Sequence, residues 1–427
     1  MQQQEGLGKY KFTLLACTMS VWVFGTAINL VPILFVPLMN RYDLPFSYLG
    51  LLIGISFVAQ MIVMLLFSKL PDKIGLRPVL LVTSLLIAVG FLLLFLAPII
   101  FPPAYILVGL ILAVVVYGTA GGFMGSMINP LVNALPLRNK PRFMSLFHCV
   151  YAAFMIVAIS FTSLFVYLLP DASWNFVPLI WVFVPLLCFV FWIRAPIIKP
   201  AAAVKDSEGK TVLGKKKKTL ILFLAAMTVA MASEAIIAKG ASSYIELGLD
   251  VPKLIGDLLG PAMFALALGV GRLLYWFLGK KVNIKHFMIW GSVACFILYL
   301  VAALTPYAAV GVVAIVLIGF ATSLLIPGMM AATGEKFAGA GVFIFVLLSM
   351  AGKIGAAGAP SLFSLLGGVF DAGWIASFAD SVGMTTQQVG LRLALLICAV
   401  IPLICIILQV ILARRSKKDI EKLTTDN

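Results

Sequence analysis

The chain has 427 residues, of which 63% are hydrophobic and 11% charged, with a formal net charge of +15 and a mean hydropathy of +1.13. A soluble domain carries about 25% charged residues, so a single aqueous core cannot hide this much apolar surface. The positive charge does not form a nucleic-acid-binding face, because it recurs in short loops between long apolar stretches.

A helix needs about 20 apolar residues to cross a bilayer. Twelve stretches approach or exceed that length, and their continuous rather than alternating character predicts helices, not strands. The first, 10–38, carries Trp22 and Asn29; it is too long for a signal peptide and has no small-residue cleavage site. The second, 47–68, carries Gln60, and the segment "SKLPDKIGLRPVL" leads from it into the third, 79–98. The fourth, 104–130, is rich in glycine and ends in "GFMGSMINP". The fifth, 142–169, holds His148 and Tyr151 near its start, and the sixth is 175–194. The polar segment 195–218 follows, with its "GKKKK". The seventh, 219–245, contains Glu234 and Lys239, and the eighth, 254–279, contains Arg272. After 286–304 comes 307–331, with "GFATSLLIP". Lys353 stands near the middle of 339–367, and 388–413 is the last stretch.

Most of the 31 lysines and arginines lie at the two ends of the chain and in alternate loops, above all 195–218. Only Arg41, Lys253 and Arg392 fall on the opposite side, and Lys239, Arg272 and Lys353 lie within helices. Positive charge marks the cytoplasmic side, so both termini and the central segment are expected inside. That segment divides the chain into a six-helix bundle at 1–194, a basic linker at 195–218 and a second six-helix bundle at 219–427. The two "GF" segments share Gly, Phe, Ser and Pro at matching positions, as parallel repeats would. The expected fold is therefore all-α and membrane-spanning: twelve helices in two pseudo-symmetric bundles.

In the loop at 68–80, Leu70, Asp72, Lys73, Gly75, Arg77 and Leu80 fit the pattern that follows the second helix in the major facilitator superfamily. The chain resembles that superfamily over roughly 10–414. Ser68 and Leu76 depart from the pattern. Gly75 would permit a tight turn. Lys73 and Arg77 would hold the loop at anionic lipid headgroups, and Asp72 could face a helix N-terminus. A weaker similarity runs to the fucose-permease-like branch, on "FGTAINLVPILFVPL", Gln60 and "GGFMGSMINPLVNALP". That branch carries carboxylates in helices 1 and 4, where this chain has Asn29 and no acid. Organic-anion antiporters of the superfamily carry cations in helices 8 and 11, and Arg272 with Lys353 is similar to such a pair.

Signs of an enzyme are weak. "GKTVLGKK" puts Lys216 where a phosphate-binding loop needs Ser or Thr for magnesium. His148 and His286 are too far apart to suggest a metal pair, and the six cysteines have no paired spacing. No metal or cofactor is expected. A charge inside a bilayer costs about 3 kcal/mol on insertion scales, so buried charges mark either a substrate path or a fixed structural pair. On the first reading Lys353 meets an anionic substrate, with Glu234 as its partner when the site is empty. Arg272 is a second cation of the site, or an anchor for the loop that follows it. Asn29 and Gln60 are uncharged cavity candidates or interhelical glue. His148 could relay a proton, and Trp22 and Tyr151 could stack on a ring or simply pack.

The expected function is secondary transport of a small organic anion through the cell membrane by alternating access, coupled to protons. The expected agent is a monomer in contact with membrane lipids and with no nucleic-acid partner. The alternatives are a neutral sugar-like or lipophilic cargo, or a membrane receptor that transports nothing.

Overall fold

The computed structural model describes residues 10–44, 47–67, 70–136, 140–168, 174–198, 216–252, 255–256, 258–279, 281–337, 340, 343–370 and 373–425. The "GKTVLGKK" segment lies outside them except for Lys216. Among the described residues the fold is entirely helical. The elements needed here are α1 (Lys11–Tyr42), α2 (Ser47–Leu66), α3 (Leu70–Ile74), α4 (Leu76–Ile100), α5 (Ile106–Ala134), α6 (Lys140–Leu168), α7 (Phe176–Trp181) and α8 (Phe183–Arg194). They continue with α9 (Lys217–Ser243), α10 (Met263–Leu278), α11 (Ile284–Leu304), α12 (Ala308–Thr322), α13 (Leu325–Lys336), α14 (Phe343–Phe370), α15 (Ala376–Ser381), α16 (Thr386–Cys398) and α17 (Val400–Thr425). Among the described residues, eleven spans are long and apolar enough to cross a membrane, and the apolar helix Leu51–Leu66 is shorter.

Among the described residues, three membrane-length spans carry a local irregularity at which the backbone angles stay in the α region. Val182 divides α7 from α8, residues 323–324 divide α12 from α13, and Ala399 divides α16 from α17. The second irregularity precedes Pro327, which has no N–H to donate to the carbonyl four residues back. Pro98, Pro130 and Pro360, by contrast, lie inside continuous helices.

The chain forms two compact units: residues 1–140, 150–204 and 339–350, and residues 141–149, 205–338 and 351–427. The division follows the central linker except for the short segments 141–149 and 339–350. In the first unit α5 is central, with α1, α2 and α4 packed against it. In the second, α12 packs on α10 and α11, and α17 packs on α9 and α11. The core of that unit is closed by Tyr244 and Tyr299, whose hydroxyls donate to the carbonyls of Ala302 and Ser233. This satisfies phenolic groups that would be costly to bury alone.

The loop between α2 and α4 follows the sequence expectation at its turn. Gly75 has φ 88°, a left-handed conformation that glycine adopts without strain. Lys73 is exposed, and Arg77 donates to the carbonyl of Ala195 at 2.7 Å. The side chain of Asp72 lies outside those described. The glycines of α5 and α14 are unevenly packed. A Cβ on Gly118, Gly122, Gly125, Gly352 or Gly355 would press closely on a neighbour, whereas nothing described lies within 4 Å of one on Gly358.

Candidate functional site

The buried charges gather in the second unit. Arg272 on α10 is 1% exposed, and Glu234 on α9 and Lys353 on α14 are each 8% exposed. Inside α14, Lys353 is the eleventh of 28 residues, about 15 Å from the helix start.

Arg272 is held on three sides. Its Nε donates to the carbonyl of Ser323 at 2.9 Å, the carbonyl that Pro327 leaves without a helical donor. One terminal nitrogen donates to the carbonyl of His148 at 2.9 Å, and the other lies 3.6 Å from a carboxylate oxygen of Glu234. The fork geometry of a guanidinium suits such divided duty, which a lysine ammonium could not reproduce. Segment 141–149 is bound to α10 at two further points: Ser145 donates to the carbonyl of Arg272, and the Cys149 thiol to that of Gly269. Arg272 is therefore the hub of this cluster.

The ion pair that forms is Glu234 with Arg272, where the sequence suggested Glu234 with Lys353. The reason is positional: Arg272 is anchored by two carbonyls whose places only the folded chain defines. At 3.6 Å the contact is an ion pair without a hydrogen bond, and that carboxylate oxygen is buried with no hydrogen-bond donor. The Nε2 atom of His148 is likewise buried without a hydrogen-bond partner.

The uncharged candidates lie in the first unit. Asn29 on α1 donates to the carbonyl of Gly25, four residues back on its own helix, at 2.8 Å. Gln60 on α2 is 1% exposed and donates to Ser56 at 3.1 Å. It occupies space left by the missing side chain of Gly122, beside a cavity of about 20 Å³ lined by Ala27, Ser56 and Tyr117. That volume suits about one water molecule. Trp22 stacks on Phe154 with ring centroids 4.6 Å apart and planes 3° from parallel, and meets Trp181 edge-on. Its indole nitrogen is buried without a hydrogen-bond partner. Tyr151 lies tilted against Phe24, close to Gly25.

Lys239 is a residue for which the sequence suggested no role. Its side-chain nitrogen is buried. The signal available in the sequence was its place inside a membrane-length helix. Among the described residues, no group of three or more His, Cys, Asp or Glu could hold a metal ion.

The family model described as the Major Facilitator Superfamily matches residues 14–360. No curated protein matches the sequence. Among solved structures, a variant of the Escherichia coli fucose:proton symporter FucP is 16% identical with a TM-score of 0.66, covering 94% of this chain and 99% of its own. The proton:xylose symporter XylE, bound to 6-bromo-6-deoxy-D-glucose, is 12% identical with a TM-score of 0.70, covering 94% and 95%. A bacterial homologue of the human lysosomal transporter Spinster, inward-facing and occupied, is 17% identical with a TM-score of 0.62, covering 94% and 96%. At these identities the likeness concerns the fold.

Proposed function

The chain belongs to the major facilitator superfamily, and from that premise we propose that it carries a small organic anion across the cell membrane by alternating access, coupled to protons. It is a multi-pass membrane transporter rather than an enzyme. On this reading the weakly marked second helix completes a set of twelve, arranged as six and six about the central linker, with both termini in the cytoplasm. The single observation that carries the anionic substrate is Lys353, a buried cation deep within a membrane-length helix. Such a charge is expensive unless it serves a path or a partner.

Proton coupling draws on Glu234. Its buried oxygen has an ion-pair partner and no hydrogen bond. An anion arriving nearby makes the carboxylate charge less favourable, and a proton would relieve the repulsion. Arg272, tied to two carbonyls, organises this exchange from a fixed position.

The test is uptake of a radiolabelled monocarboxylate into proteoliposomes holding the full chain, with Lys353→Ala beside it. The variant should fold and lose transport, and Lys353→Arg should retain part of it, because charge is kept while geometry changes. Full transport by Lys353→Ala would sink the assignment. A neutral sugar is the second reading, favoured by the fold likeness to the fucose and xylose symporters and by the stacked rings around Trp22. It predicts sugar uptake that is indifferent to Lys353.

A further inference from the structure

The connection from α14 to α16 is short and closely specified. A 3₁₀ turn at Gly373–Ile375 runs into α15. Gly383 stops that helix. Its φ of 66° is left-handed, its N–H donates to the carbonyl of Asp380, and the N–H of Met384 donates to that of Ala379. These bonds answer carbonyls that a helix end leaves open. Two residues on, Thr385 opens α16 with a reciprocal cap. Its hydroxyl accepts from the backbone N–H of Gln388, and the Gln388 side chain accepts from the N–H of Thr385.

An isolated helix as short as α15 is unstable in water, so packing has to hold it. Ile375 and Ala379 are buried against Val389 of α16, with Met384 and Leu393 beside them. The neighbouring face is uncovered. Trp374 is 64% exposed, Phe378 54% and Val382 44%, and they follow one another at four-residue spacing along one stripe. On a helical period this stripe and the buried pair make one apolar arc, and Ser377, Asp380 and Ser381 fall on the polar arc across from it. The two caps and the buried pair fix the rotation of the helix, so the stripe cannot turn inward onto the same core.

What the stripe adjoins indicates what covers it. Trp374 packs edge-on against Phe370, the last residue of the membrane-length helix α14, with ring centroids 5.8 Å apart. Along the last turns of α14, Leu362, Leu365 and Val369 are exposed apolar side chains at helical spacing. The Phe370–Trp374 contact continues that apolar surface into the connection. Indole rings favour the boundary between lipid and water. Asp380 is the only charged residue in 373–385, so attraction to anionic headgroups cannot hold the segment down. Insertion has to come from the apolar side chains themselves.

We propose that residues 373–382 form an interfacial helix, with Trp374, Phe378 and Val382 inserted among the lipids of the membrane surface and Ser377, Asp380 and Ser381 toward water. The partner is the headgroup–acyl boundary of a bilayer, neutral lipid included. A helix in that place sinks its apolar face only about 5–10 Å, a depth that tryptophan and phenylalanine side chains span from a backbone at the boundary. The inference depends on the membrane-spanning character of α14 and not on the cargo. It gives the end of the helix that carries Lys353 an anchor at the surface.

The experiment attaches a nitrobenzoxadiazole fluorophore to Phe378→Cys and, on the polar arc, to Asp380→Cys, in the full chain reconstituted into phosphatidylcholine vesicles. Loss of the Asp380 charge favours lipid, which makes the comparison stricter. The unaltered protein, with its native cysteines, is carried through the same labelling as the background. The quenchers are a phospholipid with a nitroxide at the headgroup–acyl boundary, and iodide on both sides of the membrane, so that orientation in the vesicle does not matter. Lipid quenching at Phe378→Cys should exceed that at Asp380→Cys severalfold, and iodide quenching should show the reverse order. Added phosphatidylserine should change neither, because the insertion is not electrostatic. Iodide quenching at Phe378→Cys as strong as at Asp380→Cys overturns the proposal, since the stripe then lies in water. Shielding of Phe378→Cys from both quenchers also overturns it, since a second copy or another part of the chain then covers the stripe. Insertion that requires phosphatidylserine overturns it as well. Should Phe378→Cys fail to fold, Val382→Cys on the same stripe takes its place and is read in the same way.

Discussion

Residues 122–130 and 319–327 share Gly, Phe, Ser and Pro at matching positions, yet they fold differently. In the first unit, α5 runs through Pro130 without interruption, and Ser126 turns its hydroxyl onto the carbonyl of Phe123. In the second, the helix is irregular at 323–324, and the carbonyl of Ser323 takes a hydrogen bond from Arg272. A proline frees a carbonyl in either place. What differs is the neighbour that answers it. A charged side chain from another helix answers the carbonyl of Ser323, and that side chain then brings Glu234 and the His148 carbonyl to the same point.

The contrast extends to the whole of each unit. Among the described residues, charges in the first unit stand at helix ends, and the polar groups deep in its helices are uncharged. The Asn29 and Gln60 side chains bond within their own helices. The second unit ties its helices together through charge. One unit should tolerate loss of a polar group, and the other should not.

The largest expected effect is therefore at Arg272. Arg272→Met strands Glu234 without its cation and Ser323 without its donor, and should destabilise the protein by about 3–5 kcal/mol. Adding Glu234→Leu removes the stranded carboxylate and should recover part of the loss. Thermal melting in detergent checks both variants. A single variant that melts like the parent would show that the hub is ornamental and erase the contrast between the units.

Glu234→Gln comes next. It keeps the shape of the side chain and removes the ionisable group. The variant should exchange substrate across the vesicle membrane but fail to accumulate it against a pH gradient, by about tenfold or more. Accumulation at the parent's level would make the carboxylate structural and turn attention to His148.

The sequence made the helical stretches, the turn at Gly75 and the placement of Lys353, Glu234 and Arg272 within long apolar helices readable, because these follow from local composition and period. It did not reveal which charges pair. That choice depends on a carbonyl freed by Pro327, 55 residues after Arg272, and on a helix register defined by glycines such as Gly355.

In the first unit Gln60→Leu gives a smaller effect. The glutamine is buried and bonded to Ser56 on its own helix. A leucine of similar size fills the space beside Gly122, and the Ser56 hydroxyl can bond elsewhere. The expected change is about 1 kcal/mol or less. A loss as large as that of Arg272→Met would mean that the uncharged unit also depends on a polar hub.

The smallest effect is expected at Asn29, and its smallness makes it informative. The Asn29 amide donates to the carbonyl of Gly25, one turn back on its own helix. Side chains that bond back to the preceding turn add little to a helix and compete with its own ladder. Asn29→Ala should therefore shift stability by no more than about 0.5 kcal/mol, since alanine is also the better helix former. Any change in transport then reports on substrate rather than on folding. Carboxylate uptake by Asn29→Ala should fall a few-fold at most, far less than in Lys353→Ala. Loss of sugar uptake with carboxylate uptake untouched would assign recognition to the uncharged unit, and would favour the neutral-cargo reading over the anionic one.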